Sequence, residues 1–230
     1  MAQAGFHAAI GYQARRIIPY EERLFPALIF GAMLPDLDII IVAIGSIMYP
    51  IAKSQMLFHR TFTHSIFIPI FIYLLFAIFS ELKKQSVFKS IGKGLALGIL
   101  THHLIDILIW FSQIDLFWPL PLDPINLWKT FVIPIWIFHV LLVLEFLFFR
   151  WYAWFLICRH MECPGKYSRV ITHLVIWKKI ESILICAFII IVIWNPPFLK
   201  FLFGLAYIPS LLMALYSTYT SRDTLEFNAI

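Results

Sequence analysis

"IGKGLALGILTHHLIDILIWFS", residues 91–112, is long and apolar enough to cross a hydrocarbon core, which takes about 20 residues, yet two histidines and an aspartate sit in its middle. The rest of the chain has the same character. Hydrophobic residues fill 61 % of the 230 positions, charged residues only 13 %, and the mean hydropathy is +0.86, which excludes a soluble domain. Further apolar runs lie at 25–48, 64–82, 131–157, 182–195 and 198–217. The last two are short and separated by Asn195-Pro196-Pro197, so they read as two tilted spans or as a partly re-entrant pair. The expected fold is an all-α, polytopic membrane helix bundle of four to six spans, forming one membrane domain over residues 1–230.

Residues 1–23 lack the basic start, apolar block and small-residue cleavage site of a secretory signal, so they are expected to stay in the mature protein. Phe6, Ile10, Ala14, Ile17 and Ile18 recur at helical spacing while Gln3, Gln13, Arg15 and Arg16 are polar, which predicts an amphipathic helix against the bundle or the interface. Lysine and arginine concentrate in 83–93 and 158–179, placing those loops in the cytoplasm and the 49–63 and 113–130 loops outside. Six spans then put both termini inside. The net charge of +5 is matched by anionic lipid headgroups and calls for no nucleic-acid partner. Cys158, Cys163 and Cys186 form no CxxC pair and read as packing residues.

Ionisable side chains inside a bilayer cost several kcal/mol unless paired, so each is a functional candidate. Five of the eight histidines (His7, His59, His64, His102, His103) and three of the six aspartates (Asp36, Asp38, Asp106) precede residue 107. Residues 1–120 thus read as the working half and 131–217 as an anchor. In "GAMLPDLD", 31–38, the proline breaks a helix and leaves two carboxylates two residues apart, which repel unless a cation lies between them; helix capping would explain one of them. In "THHLID", 101–106, His102 and Asp106 share a helix face and His103 nearly does, either as joint metal ligands or as a hydrogen-bonded pair. In "HRTFTHS", 59–65, His59 and Arg60 fall on a loop, Thr61 or Thr63 at an N-cap and His64 in the first turn of the next span; the alternative is an interfacial collar against headgroups.

The predicted topology brings these three motifs to a similar depth. Together they offer nitrogen and oxygen ligands without thiolate, a set that suits Zn²⁺, Mn²⁺ or Fe²⁺ and is large enough for one or two ions. Hydrolysis by metal-activated water is the natural chemistry. Arg60 could clamp a phosphate oxygen with its planar fork or pair with a headgroup or carboxylate. "LFWPLPLDP", 116–124, reads as an interfacial lid or as simple packing. His139, His160 and His173 read as structural or cytoplasmic.

His7 in the first helix, "LPDLD" at 34–38, "HRTFTHS", "LTHHLID" at 100–106 and "LFWP" at 116–119 together resemble the YdjM-like, LexA-regulated membrane-bound metal-dependent hydrolases, over residues 5–120. That resemblance implies a bacterial inner-membrane location and a distant relation to zinc-dependent phospholipase C and P1-type nucleases. It implies a metal-site set of His7, Asp36, Asp38, His59, His64, His102 and Asp106, with Asp38, Arg60 and His64 as catalytic candidates. His103 is an extra histidine beside the family's position, and His139 and Glu145, six apart, supply no further HxxxE pair. The expected function is metal-dependent hydrolysis of a lipid or lipid-linked phosphoester, with zinc the expected ion and membrane lipids the expected partners. A haem-binding electron carrier would use histidine pairs from separate spans, such as His64 with His102 or His103, and leave Asp36 and Asp38 unexplained, whereas an ion or proton transporter would use the intramembrane histidines and aspartates as a relay.

Overall fold

The computed structural model describes residues 3–14, 17–109, 111, 113–163, 168–194 and 196–226, so Arg15 and Arg16, part of the topology argument, lie outside the described residues. Every regular element among these residues is helical. Three helices are long and apolar enough to cross a membrane: α6 (Ser86–Ile109), α7 (Ile135–Glu162) and α9 (Leu199–Thr220). Two bent helix pairs are long and apolar enough to count as further spans if each is one broken crossing. α2 (Leu24–Met33) turns through 41° at Pro35 into a short 3-10 turn and α3 (Asp38–Gly45). α4 (Ile51–Phe58) and a 3-10 turn at Phe62–His64 meet α5 (Phe67–Lys83) at 45°. Pro35 removes a backbone donor within the first run, which is why that run breaks where it does. The second run differs from the sequence reading, because much of the expected 49–63 loop is helix α4.

α8 (Ser168–Trp194) also departs from expectation. It absorbs Arg169, Lys178 and Lys179 from the predicted 158–179 loop, leaving an apolar part, 182–194, of 13 residues. At 1.5 Å per residue that part is roughly 20 Å long, short of a hydrocarbon core of about 30 Å. The cysteines are free, and Cys186 is exposed rather than packed.

The first helix, α1 (Ala4–Gln13), is docked inside the bundle rather than laid on a surface: Ala4, Gly5, His7, Ala8, Ala9 and Gly11 are all buried. Small residues make this possible. A Cβ on Gly5 would lie 2.8 Å from the Phe149 nitrogen on α7, so only glycine allows that approach. The amide groups at the start of α1, which have no partner within the helix, find side-chain acceptors elsewhere in the bundle. Gln3 N donates to Asp36 Oδ2 (2.9 Å), Ala4 N to the Tyr207 hydroxyl (3.2 Å) and Gly5 N to Glu145 Oε1 (2.7 Å). The second half of the chain therefore anchors the helix that carries His7.

α2 and α6 form the tightest pair, through a glycine ladder. A Cβ at Gly94 would collide with the Leu24 carbonyl oxygen, and one at Gly98 with the Leu28 carbonyl oxygen. This is the small-xxx-small geometry by which membrane helices pack backbone to backbone, since lipid provides little hydrophobic drive between them. The main apolar core lies between α1, α7, α8 and α9 around Phe146, Phe149, Tyr152, Phe203 and Tyr207. α5 turns Ile70, Phe71, Leu74 and Ile78 outward, the reverse of a soluble helix and the pattern expected against lipid.

Candidate metal centre

The break at Pro35 puts Asp36 in the 3-10 turn and Asp38 at the start of α3, both 1 % exposed. Neither aspartate caps the 3-10 turn or α3 by its side chain; Asp36 instead accepts the Gln3 amide at the start of α1. One turn beyond the Gly94/Gly98 contact, α6 presents His102 and Asp106, and its backbone proximity to α2 brings them beside the break. The bend before α5 delivers His64, and α1 delivers His7. Two triads, His7 with His102 and Asp106, and Asp36 with His64 and His102, each have ligand atoms within 4.8 Å of one another. His102 belongs to both. These buried groups can hold a metal ion.

The proton positions follow from the partners. His102 Nδ1 lies 2.8 Å from the Ala32 carbonyl, which can only accept, so the proton is on Nδ1 and the Nε2 lone pair faces the cluster. The Thr63 hydroxyl donates to Asp38 Oδ2 (3.2 Å) and so accepts from His64 Nδ1 (3.0 Å), which turns the His64 Nε2 lone pair inward too. These two Nε2 atoms are 3.1 Å apart. Two lone pairs at that distance repel unless a proton or a cation stands between them. The rings of His7 and His102 are stacked at 3.7 Å, and no porphyrin plane fits between His64 and His102, which removes that pair as haem ligands.

Charge points the same way. Asp36, Asp38 and Asp106 are buried with Arg60 as the cluster's guanidinium, whose Nη2 lies 3.0 Å from Asp106 Oδ2. Three negative charges against one positive leave two uncompensated when the imidazoles are neutral, and buried unpaired charge is costly. One divalent cation balances the set. His7 reaches Asp106 Oδ1 at 3.0 Å, and burial holds its imidazole below the ordinary value, favouring the neutral, ligating form.

Asp38 and His59 stand outside both triads. His59 Nδ1 is 2.9 Å from Asp38 Oδ1, and Asp38 Oδ2 also accepts from the Arg60 amide at 2.9 Å. Asp38 is thus surrounded by donors, placed to orient His59, Thr63 and His64 rather than to reach a shared ion. His59 Nε2 has no hydrogen-bond partner. Thr61 and Thr63, expected as caps, make no cap bond; Thr63 instead links Asp38 to His64 because the 3-10 turn points its hydroxyl back at α3. His103 is buried, 3.4 Å by Nε2 from the Thr63 carbonyl and stacked on His64. Arg60 adopts a left-handed backbone (φ 63°), a conformation uncommon for non-glycine residues and found at strained, functional positions.

The 116–124 stretch is stapled to this turn. Ser65 Oγ donates to the Trp118 carbonyl (2.6 Å), Ile66 N to the Leu116 carbonyl (2.8 Å) and Asp115 N to the Arg60 carbonyl (3.1 Å). It covers the segment that presents His59, Arg60 and His64. Sequence reasoning missed Glu145, whose buried carboxylate holds α1 and so His7; a lone glutamate in an apolar run was the available signal.

No curated protein and no solved structure matches the chain. A family model does, described as YdjM inner membrane protein, over residues 2–198, a stretch that holds every residue of the cluster and runs well past the 5–120 region of sequence resemblance. With most of its length matched, the chain belongs to the YdjM inner membrane protein family.

Proposed function

We propose that this protein is a membrane-embedded, metal-dependent hydrolase that cleaves a phosphoester of a lipid or lipid-linked molecule. The observation that carries the reading is the 3.1 Å approach of His64 Nε2 to His102 Nε2 among the buried carboxylates Asp36, Asp38 and Asp106. His7, Asp36, His64, His102 and Asp106 would hold the ion, and zinc suits this nitrogen and oxygen set best, with manganese or iron as alternatives. When bound, a divalent ion supplies Lewis-acid polarisation of a phosphoryl oxygen and activation of a water.

The chain's own groups supply the rest. Ala32, through its carbonyl, and Thr63 with Asp38 fix the tautomers of His102 and His64. His59, oriented by Asp38 and with Nε2 unengaged, is placed to carry a proton to or from the leaving group. Arg60, held beside Asp106 and lining the adjacent cavity, would offer its planar fork to a phosphate oxygen. With the lysine-rich 83–93 segment in the cytoplasm, α6 would carry His102 and Asp106 toward the outer face of the inner membrane. Metal analysis of the purified protein, followed by phosphodiesterase and phospholipase assays with chelator controls, tests the reading. Bound zinc or manganese is expected, lost in Asp36→Ala and His102→Ala; a metal-free wild type whose stability ignores added ions refutes it.

A further inference from the structure

A cavity of about 490 Å³ lies between α3, α4, α7 and α9, within the range of roughly 300–1,000 Å³ typical of small-molecule sites. His59 and Arg60 line it, and the same two residues reach Asp38 and Asp106 on the cluster side, so they form the wall between cavity and cluster. Its lining divides by chemistry. Phe138, Leu142, Leu199 and Phe203 make an apolar flank from α7 and α9. Lys200, His59 and His139 bring one fixed cation and two imidazoles beside the Arg60 wall, whose guanidinium is paired with Asp106, against one carboxylate, Asp115. Ile135 and Leu199, the first residues of α7 and α9, also open onto this space, and neither helix start carries a side-chain cap. The positive ends of two long helix dipoles thus add to the cationic lining.

We propose that this cavity binds an anionic phosphate-bearing amphiphile, its phosphate taken by Lys200 and His139 next to the Arg60 wall and one alkyl chain lying along Phe138, Leu142, Leu199 and Phe203. The inference rests on the hydrolase reading only for the use made of the bound molecule; recognition itself needs no turnover. Lys200 and His139 become specificity residues for the phosphate. Gly204 provides a plug point, because it lines the cavity and a Cβ there meets nothing within 4 Å. A phenylalanine at that position would grow into the empty space while replacing glycine in the helix interior, which favours the helix.

The test uses the full-length protein in a neutral detergent, with native mass spectrometry reading the binding of dioctanoyl phosphatidic acid, of dioctanoylglycerol without the phosphate, and of inorganic phosphate alone. Phosphatidic acid should bind at least about tenfold more tightly than dioctanoylglycerol, inorganic phosphate should compete weakly, and the double variant Lys200→Ala/His139→Ala should erase the preference (each tenfold being about 1.4 kcal/mol). Gly204→Phe should abolish binding with unchanged metal content and melting temperature. Equal binding of the two lipids, competition by free phosphate as strong as by the lipid, or undiminished binding by Gly204→Phe overturns the proposal. Tight lipid binding without any hydrolysis would count against the hydrolase reading alone, whereas hydrolysis retained in Gly204→Phe would count against the cavity alone.

Discussion

Replacing Asp106 by asparagine keeps the shape of a side chain that touches four partners and removes its charge. Asp106 lies 3.0 Å from His7 Nε2, 3.0 Å from Arg60 Nη2, 3.6 Å from His64 Nε2 and 3.7 Å from His102 Nε2. The substitution cuts the cluster's surplus from two negative charges to one and leaves the Arg60 guanidinium facing an incoming cation without its counter-ion. Unit charges about 4 Å apart interact by about 4 kcal/mol at an effective dielectric constant of about 20. Allowing for relaxation, a loss of about 3 kcal/mol, or roughly a hundredfold in metal affinity, is a conservative expectation. Thermal unfolding in detergent with and without zinc reads this directly. At a free metal concentration about 100 times the wild-type Kd, binding adds about 2.7 kcal/mol; with a hundredfold weaker Kd it adds about 0.4 kcal/mol. For a chain of this length, 1 kcal/mol moves Tm by about 2–4 °C, so the metal-induced rise should drop from roughly 5–11 °C to about 1–2 °C. An Asp106→Asn protein with the full wild-type rise would refute the charge argument, as would a wild type that responds to none of zinc, manganese or iron.

Gly98→Ala should destabilise the fold by about 1–3 kcal/mol and weaken the metal-induced rise, because its methyl meets the Leu28 carbonyl at the α2–α6 contact; Gly204→Ala, with open space around it, is the control that should be neutral or stabilising. Glu145→Leu should cost about 1–3 kcal/mol by orphaning the Gly5 amide and should lower metal affinity through His7, while Glu145→Gln, which keeps an acceptor oxygen, should retain both; titration by isothermal calorimetry separates the two variants. Burial depresses the His7 imidazole, so as pH falls through the ordinary histidine value of about 6.5 the unfolded chain takes up a proton that the folded chain refuses. Stability of the metal-free protein should therefore fall with pH across that range, and His7→Asn should flatten the slope by up to about 1.4 kcal/mol per pH unit in denaturant titrations.

Much of this architecture is local and therefore readable from sequence. Run length and hydropathy mark the candidate crossings, Pro35 marks the break that carries Asp36 and Asp38, and the four-residue spacing of His102 and Asp106 puts both on one face of α6. The Gly94 and Gly98 spacing, which the sequence reading passed over, shows what it serves only against the facing α2 backbone. Other features had no local signature. A histidine in a small-residue helix gives no hint that α1 will be drawn inside the bundle by Asp36, Tyr207 and Glu145, residues as many as 203 positions away.

Tertiary structure also sorted ligand-type residues that look alike in sequence. His59 and His64 are five apart in one motif, yet one pairs with Asp38 beside a cavity and the other turns toward His102, because the 3-10 turn between α4 and α5 rotates them to different sides. Arg60 could equally have faced a headgroup; the backbone conformation at φ 63° and the depth of Asp106 set it on the carboxylate. Spacing along a helix settles which side chains share a face, whereas which of them share an ion depends on how closely separate helices approach, and that distance is set by glycines, a proline break and buried hydrogen bonds acting together.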